Sequence, residues 1–376
     1  MIPYGKQTIS EEDIAAVVET LKSDWLTQGP KVEEFEKKLA QYCGAKFAVV
    51  VANGTAALQA AFFAIDLKKN DEFITTPLTF VATANAGIWQ GGRPIFVDVE
   101  PTTGNLDPKL IEKKITSKTK AIVPVDYTGR PANLNAIKQI AQKYGIPVIE
   151  DACQALGAEY KNKKIGSISD LTVFSFHPVK SITTGEGGAI LTDNEEYYER
   201  MKKFVTHGIT KKGLIKESPG EWFYEMQELG LNYRLTDFQS ALGLSQLKRI
   251  DEFIAIRRQI AATYRDKLKE LRNISLPPMD NNECWSSWHL FVMNLGGELE
   301  NKRAEIFKKL RERGVGVQVH HIPVYLHPYY QKIGYEVGLC PVAEKFYQTA
   351  ISLPIFPNLS DVDQEYVIKM IKEIIT

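Results

Sequence analysis

The stretch VFSFHPVKSITTGEGGAILTD, residues 173–193, contains two apolar runs separated by a turn that is rich in threonine and glycine. The first run begins at Leu171 and the second follows three glycines, and both are typical of strands that are buried on both faces. Lys180 lies in the turn between them. A lysine that attacks a carbonyl carbon needs its neutral form, and burial or nearby positive charge lowers its pKa. Lys180 is therefore a candidate nucleophile, with an ordinary surface lysine as the alternative.

Short apolar runs alternate with helical segments before this stretch. Residues 47–52, FAVVVA, are typical of a buried strand, and a turn at Asn53-Gly54 and a helix over residues 56–65 follow it. Further strands are predicted at residues 72–75, 94–97, 121–125, 147–150 and 171–176, and helices at residues 11–21, 30–43, 133–144 and within 237–272. This alternation predicts an α/β fold with a mostly parallel sheet covered by helices. Ligands bind such sheets beyond the carboxyl ends of the strands.

The length of the chain predicts two domains. A chain of 376 residues is too long for one simple hydrophobic core. The long helical region that starts at residue 237 leads away from the predicted sheet, and the polar stretch PPMDNNECWSS then opens a smaller segment. We expect a large domain with an N-terminal arm over residues 1–245 and a small C-terminal domain over residues 246–376.

The composition argues against nucleic acids and membranes as partners. Lysine and arginine together number 46, and aspartate and glutamate together also number 46, so the net charge is zero. The composition therefore indicates no basic surface for an anionic polymer. No apolar run approaches the roughly 18 residues that a membrane span needs, and the N-terminus has no apolar signal core, so we expect a cytoplasmic protein. The four cysteines form no CxxC pair, and no metal site is expected. A nicotinamide dehydrogenase is disfavoured because no G-x-G-x-x-G follows a predicted strand.

Polar residues follow several of the predicted strands. The small-residue turn at Gly54-Thr55 feeds a helix, whose N-terminal N–H groups and dipole suit a phosphate; the alternative is a tight connection with Thr55 as a helix cap. Ser175, at the end of its strand, can donate to the same phosphate. Asp151 follows another strand, where it can pair with a protonated ring nitrogen or cap the next helix. Glu150 points the opposite way and is either solvated or paired.

Three motifs carry a resemblance to a known family. EDACQALGAEY, FSFHPVKSITTGEGGAILTD and LNYRLTDFQSALGLSQL occur in this order, and the similarity extends from WLTQGPKVEEFE to AISLPIFPNL. The chain resembles the nucleotide-sugar aminotransferases of the DegT/DnrJ/EryC1/StrS family, which use pyridoxal 5'-phosphate (PLP). The resemblance implies fold type I of the aspartate aminotransferase superfamily. That fold has a large domain with a mainly parallel seven-stranded sheet, a small C-terminal α+β domain, and a homodimer whose active sites lie at the subunit interface.

The resemblance implies roles for two catalytic residues. Lys180 would bind PLP covalently and move the proton between the sugar C4 and the cofactor, which alternates with its pyridoxamine form. Asp151 would keep the pyridine nitrogen protonated, so that the ring accepts electrons. A sibling branch of the superfamily has histidine in place of the lysine and removes a hydroxyl, so Lys180 favours transamination over dehydration. His177 is interpreted as a packing or substrate contact and not as the base.

Other positions match the family's cofactor contacts. Phe80 would stack on the cofactor ring, although an ordinary core aromatic is the alternative. Gln154 would hydrogen-bond the phenolic oxygen of the cofactor. The residues implied in phosphate binding are Gly54, Thr55 and Ser175, with Asn232 reaching the phosphate from the neighbouring subunit.

Within the family, three stretches favour one substrate. SFHPVKSITTGEGGAI, PVDYTGRPANL and VQVHHIPVYLHPYYQ most resemble the transaminases of pseudaminic acid biosynthesis. Those enzymes use L-glutamate to convert UDP-2-acetamido-2,6-dideoxy-β-L-arabino-hex-4-ulose into UDP-4-amino-4,6-dideoxy-N-acetyl-β-L-altrosamine. The alternatives are a C4 or C3 aminotransferase for a GDP-perosamine, bacillosamine-type or dTDP-linked sugar, and a non-catalytic regulatory protein of the same fold.

The resemblance also implies a set of substrate contacts. These are Tyr4, Trp25, Leu26, Thr27, His320 and His321. The two adjacent histidines can also indicate a metal, but no further ligand is spaced for one, and ordinary surface or core histidines are another alternative. Glu186 has two open interpretations, since it can assist substrate hydroxyls or satisfy loop amides.

Overall fold

The computed structural model describes residues 1–375 and confirms the α/β fold. Its strands are β1 (Phe47–Val51), β2 (Glu72–Thr75), β3 (Arg93–Phe96), β4 (Thr119–Val123), β5 (Ile149–Asp151), β6 (Glu159–Tyr160), β7 (Lys163–Lys164), β8 (Leu171–Ser175), β9 (Gly188–Thr192), β10 (Ile209–Thr210), β11 (Glu225–Met226), β12 (Ile274–Ser275), β13 (Cys284–Trp285), β14 (Phe291–Leu295) and β15 (Ala350–Leu353). Its helices are α1 (Glu11–Leu21), α2 (Pro30–Cys43), α3 (Gly54–Ala64), α4 (Ala82–Trp89), α5 (Pro108–Ile111), α6 (Leu134–Tyr144), α7 (Glu195–Phe204), α8 (Asp237–Leu247), α9 (Ile250–Leu268), α10 (Arg303–Glu312), α11 (Pro328–Lys332), α12 (Pro341–Thr349) and α13 (Asp361–Ile375).

Seven strands form the large sheet in the order β3-β2-β4-β5-β8-β9-β1. Its two parts, β3-β2-β4 and β5-β8-β9-β1, are joined by parallel bridges between Ile122 and Val148 and between Val125 and Asp151. Strand β9 pairs antiparallel with both of its neighbours, whereas the other six strands are parallel to one another. The mainly parallel seven-stranded sheet that the resemblance implied is therefore present.

Local sequence signals define the first two helices. At the start of α1, Ser10 Oγ accepts the Asp13 N–H and the Asp13 carboxylate accepts the Ser10 N–H, which is a capping box. Helix α2 has Pro30 in its first turn and ends at Gly44, which adopts a left-handed conformation with φ 76°. These caps fix the two helices that lead into β1.

The hydrophobic core changes along helix α9. Ile250 and Ile254 pack in the core under the large sheet. Ile260 and Leu268 pack in a second core, which surrounds the antiparallel sheet β12-β14-β15. The division at residue 245 stays a prediction, and we propose that the boundary lies further along the chain, between Ile254 and Ile260. No helix within residues 1–375 is long and apolar enough to cross a membrane.

Candidate active site

A cavity of about 1360 Å³ opens at the carboxyl ends of the parallel strands. Strand β5 ends at Asp151 and β8 ends at Ser175, while the turn after β1 brings Gly54 to the same edge of the sheet. Ten of the predicted site residues line this cavity: Tyr4, Gly54, Thr55, Phe80, Asp151, Gln154, Ser175, Lys180, His320 and His321. Most of the predicted site residues are therefore neighbours in the fold.

Asp151 is buried and is held by two hydrogen-bond donors. The Thr83 hydroxyl donates to Asp151 Oδ2 at 2.6 Å, and the Cys153 N–H donates to Asp151 Oδ1 at 3.2 Å. No helix follows before β6, so the interpretation of Asp151 as a helix cap is wrong. A buried carboxylate with two donors can accept a further hydrogen bond from a protonated ring nitrogen in the cavity.

Lys180 lines the same cavity as Asp151. Burial lowers the pKa of the Lys180 ammonium, while nearby Cys153 and Asp151 act in the opposite direction. A lowered pKa increases the share of the neutral amine, which is the form that attacks a carbonyl carbon. The side chain is partly buried, so Lys180 is not an ordinary surface lysine.

The turn between β1 and α3 has the geometry of an anion site. Asn53 Oδ1 accepts the Ala56 N–H at 2.8 Å, so Asn53 caps the helix and the interpretation of Thr55 as the cap is wrong. Because they belong to the first turn of α3, the N–H groups of Gly54 and Thr55 have no acceptor within their own helix. A Cβ atom built on Gly54 would lie 3.0 Å from Ser175 Cβ, so the glycine and the serine are closely apposed. Free N–H groups at a helix N-terminus beside a hydroxyl suit a phosphate.

Gln154 and Phe80 occupy two other walls of the cavity. Gln154 Oε1 accepts the Thr128 N–H at 2.7 Å, which leaves the amide NH2 as a donor. Thr128 has φ 63°, and the turn around it fixes this contact. Phe80 is 60% exposed, so its interpretation as a core aromatic is wrong. Its ring lines the cavity 6.1 Å from the ring of His321, where it can stack on a planar ligand.

The two histidines, from the C-terminal part of the chain, and Tyr4, from its N-terminal arm, form another wall of the cavity. His320 Nδ1 lies 2.8 Å from Ser352 Oγ, and the rings of Tyr4 and His320 lie 5.3 Å apart. Burial lowers the pKa of His320 to about 4 and that of His321 well below its ordinary value. Both rings are therefore neutral at physiological pH. Within residues 1–375, no group of three or more His, Cys, Asp or Glu side chains is arranged to hold a metal ion.

Four predicted residues lie outside the cavity wall. Trp25, Leu26, Thr27 and Asn232 are all exposed. Thr27 bridges to Thr236 at the start of α8, and the Asp237 N–H donates to the Leu26 carbonyl. The substrate-binding roles of Trp25, Leu26 and Thr27 and the cofactor-binding role of Asn232 stay predictions.

Glu150 is buried and paired, so the solvated interpretation of this residue is wrong. Glu150 accepts the Thr172 hydroxyl at 3.1 Å and lies beside Asp126, which is also fully buried. Burial raises the pKa of both carboxyl groups, and the charge of Glu150 raises that of Asp126 further. The two groups can therefore share a proton behind the cavity.

The carboxylate of Glu186 lines the cavity and has no hydrogen bond among residues 1–375. It is the backbone carbonyl of Glu186 that accepts bonds, from Thr184 Oγ1 and Gln239 Nε2. The interpretation that the Glu186 carboxylate satisfies loop amides is therefore wrong. His177 is exposed at the rim of the same cavity.

Sequence reasoning missed Thr83 and His289. His289 is buried, lines the cavity, and has no partner for Nδ1 within the described part of the chain. The signal for it was present, since a single histidine interrupts the apolar run around β14. Thr83 carried no signal, because its partner Asp151 is 68 residues away in the chain.

The residues fit PLP. The Gly54 turn with Ser175 suits the phosphate, Asp151 suits the ring nitrogen, and Lys180 lines the same cavity. Phe80 offers an aromatic face, and the free amide NH2 of Gln154 is a donor for an oxygen substituent.

Comparisons with known proteins agree with this arrangement. A model of the DegT/DnrJ/EryC1/StrS aminotransferase family matches residues 7–372. The chain is 40% identical over 370 residues to the UDP-4-amino-4,6-dideoxy-N-acetyl-beta-L-altrosamine transaminase of Campylobacter jejuni, covering 98% of this chain and 96% of the relative. It is also 40% identical over 378 residues to the spore coat polysaccharide biosynthesis protein SpsC of Bacillus subtilis, covering 100% and 97%.

Solved structures show the same fold. Helicobacter pylori PseC, an aminotransferase involved in the biosynthesis of pseudoaminic acid, superposes with a TM-score of 0.93 at 34% identity over 100% of this chain and 99% of that chain. The PLP form of Spr1654 from Streptococcus pneumoniae superposes with a TM-score of 0.93 at 30% identity over 100% of both chains, and that protein is also known in a PMP form. The chain therefore belongs to the DegT/DnrJ/EryC1/StrS aminotransferase family, whose cofactor is pyridoxal 5'-phosphate.

Proposed function

We propose that this sugar aminotransferase moves the amino group of L-glutamate to C4 of UDP-2-acetamido-2,6-dideoxy-β-L-arabino-hex-4-ulose. The product is UDP-4-amino-4,6-dideoxy-N-acetyl-β-L-altrosamine. The names of the Campylobacter relatives and of PseC support this substrate. The observation that carries the chemistry is that Lys180, Asp151 and the Gly54 turn share one cavity at the edge of the sheet.

Each of these residues has a proposed task. When bound, PLP supplies an electron sink for the carbon that gains or loses a proton. Lys180 holds the cofactor and carries the proton to and from that carbon, because its lowered pKa allows the neutral amine. Asp151 holds the ring nitrogen, and Phe80 fixes the plane of the ring. Gly54, Thr55 and Ser175 anchor the phosphate.

The sugar is proposed to bind on the side of the cavity that His320, His321 and Tyr4 form. The neutral histidine rings and the tyrosine hydroxyl can donate and accept hydrogen bonds with sugar hydroxyls. Glu186 has a free carboxylate at the same cavity and is proposed to accept hydrogen bonds from the sugar.

We also propose that two copies of the chain complete each site. Lys180 is the sole lysine or arginine lining the cavity within residues 1–375, yet glutamate and the nucleotide diphosphate are anions. Asn232 and Trp25 are exposed outside the cavity wall of their own chain, so a second copy can receive them. A homodimer with shared sites follows from this proposal.

The test follows the visible spectrum of the PLP-loaded protein. L-Glutamate should convert it to the pyridoxamine form, and separate UDP-, dTDP- and GDP-linked 4-keto sugars are then added. Return of the PLP band with the UDP-linked L-arabino-4-ulose alone is expected. Return with a different sugar alone would refute the proposed substrate, and no response to glutamate would refute the proposed donor.

A further inference from the structure

Two buried threonines, Thr79 and Thr83, lie beside Asp151 in the cavity wall. Thr83 is in the first turn of α4, and Thr79 is in the loop that precedes this helix. The exposed fractions of Thr79, Thr83 and Asp151 are 3%, 1% and 4%. The Thr83 hydroxyl oxygen lies 2.6 Å from Asp151 Oδ2 and 2.8 Å from the Thr79 hydroxyl oxygen. The three side chains form a continuous hydrogen-bonded chain that is almost fully buried.

The direction of the hydrogen bonds in this chain follows from the number of protons. Thr83 has one hydroxyl proton and three oxygens within reach, of which the Phe80 carbonyl is the most distant at 3.2 Å. An ionised carboxylate only accepts, and a charge-assisted bond is the shorter and stronger one. Thr83 therefore donates to Asp151. The Thr79 hydroxyl in turn donates to Thr83, whose oxygen still has lone pairs to accept with.

This chain fixes the orientation of the Asp151 carboxylate. Hydrogen bonds donated to a carboxylate stabilise its charge, and linked hydroxyls polarise one another. The Cys153 N–H binds the other oxygen, so the carboxylate is held in one orientation by donors on both sides. Loss of the Thr83 hydroxyl would leave a buried charge with one of its two donors.

We propose that the Thr79–Thr83 hydroxyl chain is a positioning device, which holds the Asp151 carboxylate in one orientation and thereby keeps the cofactor's ring nitrogen protonated. This inference rests on the proposed role of Asp151. Both threonines line the cavity, and the hydrogen bonds that link them to Asp151 make the carboxylate the group through which they act. A purely structural role, in which Thr83 only ties α4 to β5, predicts a loss of stability with no change at the ring nitrogen.

The test uses the holoenzyme loaded with PLP that carries 15N in its ring. In Thr83→Val, the 15N chemical shift should move toward that of the unprotonated ring as pH rises, at a lower pH than in the wild type. The rate of the glutamate half-reaction should fall about tenfold to a hundredfold, because a charge-assisted hydrogen bond is lost. The glutamate concentration for half-maximal rate should stay within about twofold, since Thr83 does not touch the donor.

Two further variants test whether Thr79 acts on Asp151 through the Thr83 hydroxyl. Thr83→Ser retains the hydroxyl and should restore the 15N shift and most of the rate. Thr79→Val should cause a smaller loss, and this loss should disappear in the Thr83→Val background, because Thr79 acts through Thr83.

A matched control separates positioning from stability. Thr75 is fully buried at the end of β2, and its hydroxyl donates to the Val123 carbonyl at 2.8 Å without touching Asp151. Thr75→Val should lower the melting temperature and leave the 15N shift unchanged. A wild-type shift and rate in folded Thr83→Val would overturn the proposal. If Asp151→Asn also leaves the shift unchanged, the proposed role of Asp151 fails as well, so the two failures are distinguishable.

Discussion

At the scale of single residues, the candidate site depends on how burial changes protonation. The burial that lowers the pKa of Lys180 also keeps His320 neutral. The sequence predicted Asp151 because it ends an apolar strand and Lys180 because it lies in the turn between two apolar strands. It did not predict Thr83, because the contact with Asp151 joins residues distant in the chain, and it did not predict His289, although a single histidine interrupts the apolar run there. Phe80 needed the structure, since an exposed and a buried phenylalanine give the same pattern in a short segment.

The loss of activity on replacing Lys180 is the strictest prediction for a single residue. Lys180→Ala removes the amine that is proposed to carry the proton, so turnover should fall by at least about a thousandfold. PLP should still bind, held by the Gly54 turn between β1 and α3 and by Asp151, but without the covalent bond to the protein. Steady-state kinetics and the visible spectrum measure both effects. Lys309→Ala, at an exposed pair with Glu305 on α10, is the matched control and should retain full activity.

A second residue-scale prediction concerns pH. The pKa of His320 is about 4 in the folded protein and about 6.5 in the unfolded chain, so the unfolded chain binds more protons between these values. The stability conferred by neutral His320 is complete above about pH 6.5 and is lost as pH falls toward 4, by as much as about 3 kcal/mol. His320→Gln should flatten this part of the curve in urea unfolding. An unchanged slope in the variant would contradict the assignment.

At the scale of elements, the helices and strands that the sequence predicted lie within about two residues of those observed, but α4, α7 and the elements after α9 were not predicted. Helix α1 has the predicted limits, Glu11–Leu21, because its capping box is local in sequence. Strands β4 and β5 are displaced by about two residues from the prediction, since their ends depend on pairing with neighbours. The Gly54 turn before α3 was predicted, but the residue that caps the helix is Asn53 and not Thr55.

Strand β9 packs at Gly188 against the turn formed by Asn53 and Gly54, and this close contact predicts the effect of a substitution. A Cβ atom on Gly188 would lie 2.7 Å from the backbone of Asn53, so Gly188→Ala must displace the turn. We expect weaker PLP binding and a stability loss of about 1–3 kcal/mol. Equilibrium dialysis and urea unfolding measure the two effects. Gly296→Ala, whose Cβ would have 3.8 Å to its nearest neighbour, should change neither, and unaltered PLP binding in Gly188→Ala would refute this account of the turn.

At the scale of the whole molecule, the sequence predicted the class of the fold but not the order of its strands. The order β3-β2-β4-β5-β8-β9-β1 depends on crossover connections, which local patterns do not encode. The sequence also did not predict that α9 passes from one hydrophobic core to the other, because a continuous helical pattern does not show which core each turn joins. The family resemblance assigns Asn232 to the site of the neighbouring subunit, but it does not say which copy of the chain receives Trp25.

Mixing two inactive variants tests the shared sites. If Asn232 serves the neighbouring subunit, a heterodimer of Lys180→Ala and Asn232→Ala has one site with both native residues. Random mixing of equal amounts should then restore about a quarter of the wild-type activity, since half of the dimers are heterodimers with one intact site each. If Asn232 serves its own chain, mixing restores nothing, and the proposal of shared sites is refuted.

Transfer of the amino nitrogen from glutamate to the sugar can be followed directly with a 15N label. The protein loaded with PLP is incubated with L-[15N]glutamate and the UDP-linked L-arabino-4-ulose, and the sugar product is analysed by mass spectrometry and 15N NMR. The proposed transamination places one 15N atom in each product molecule, bonded to C4, and Lys180→Ala yields no product. Recovery of the sugar without 15N, while the protein is folded and contains PLP, would contradict it.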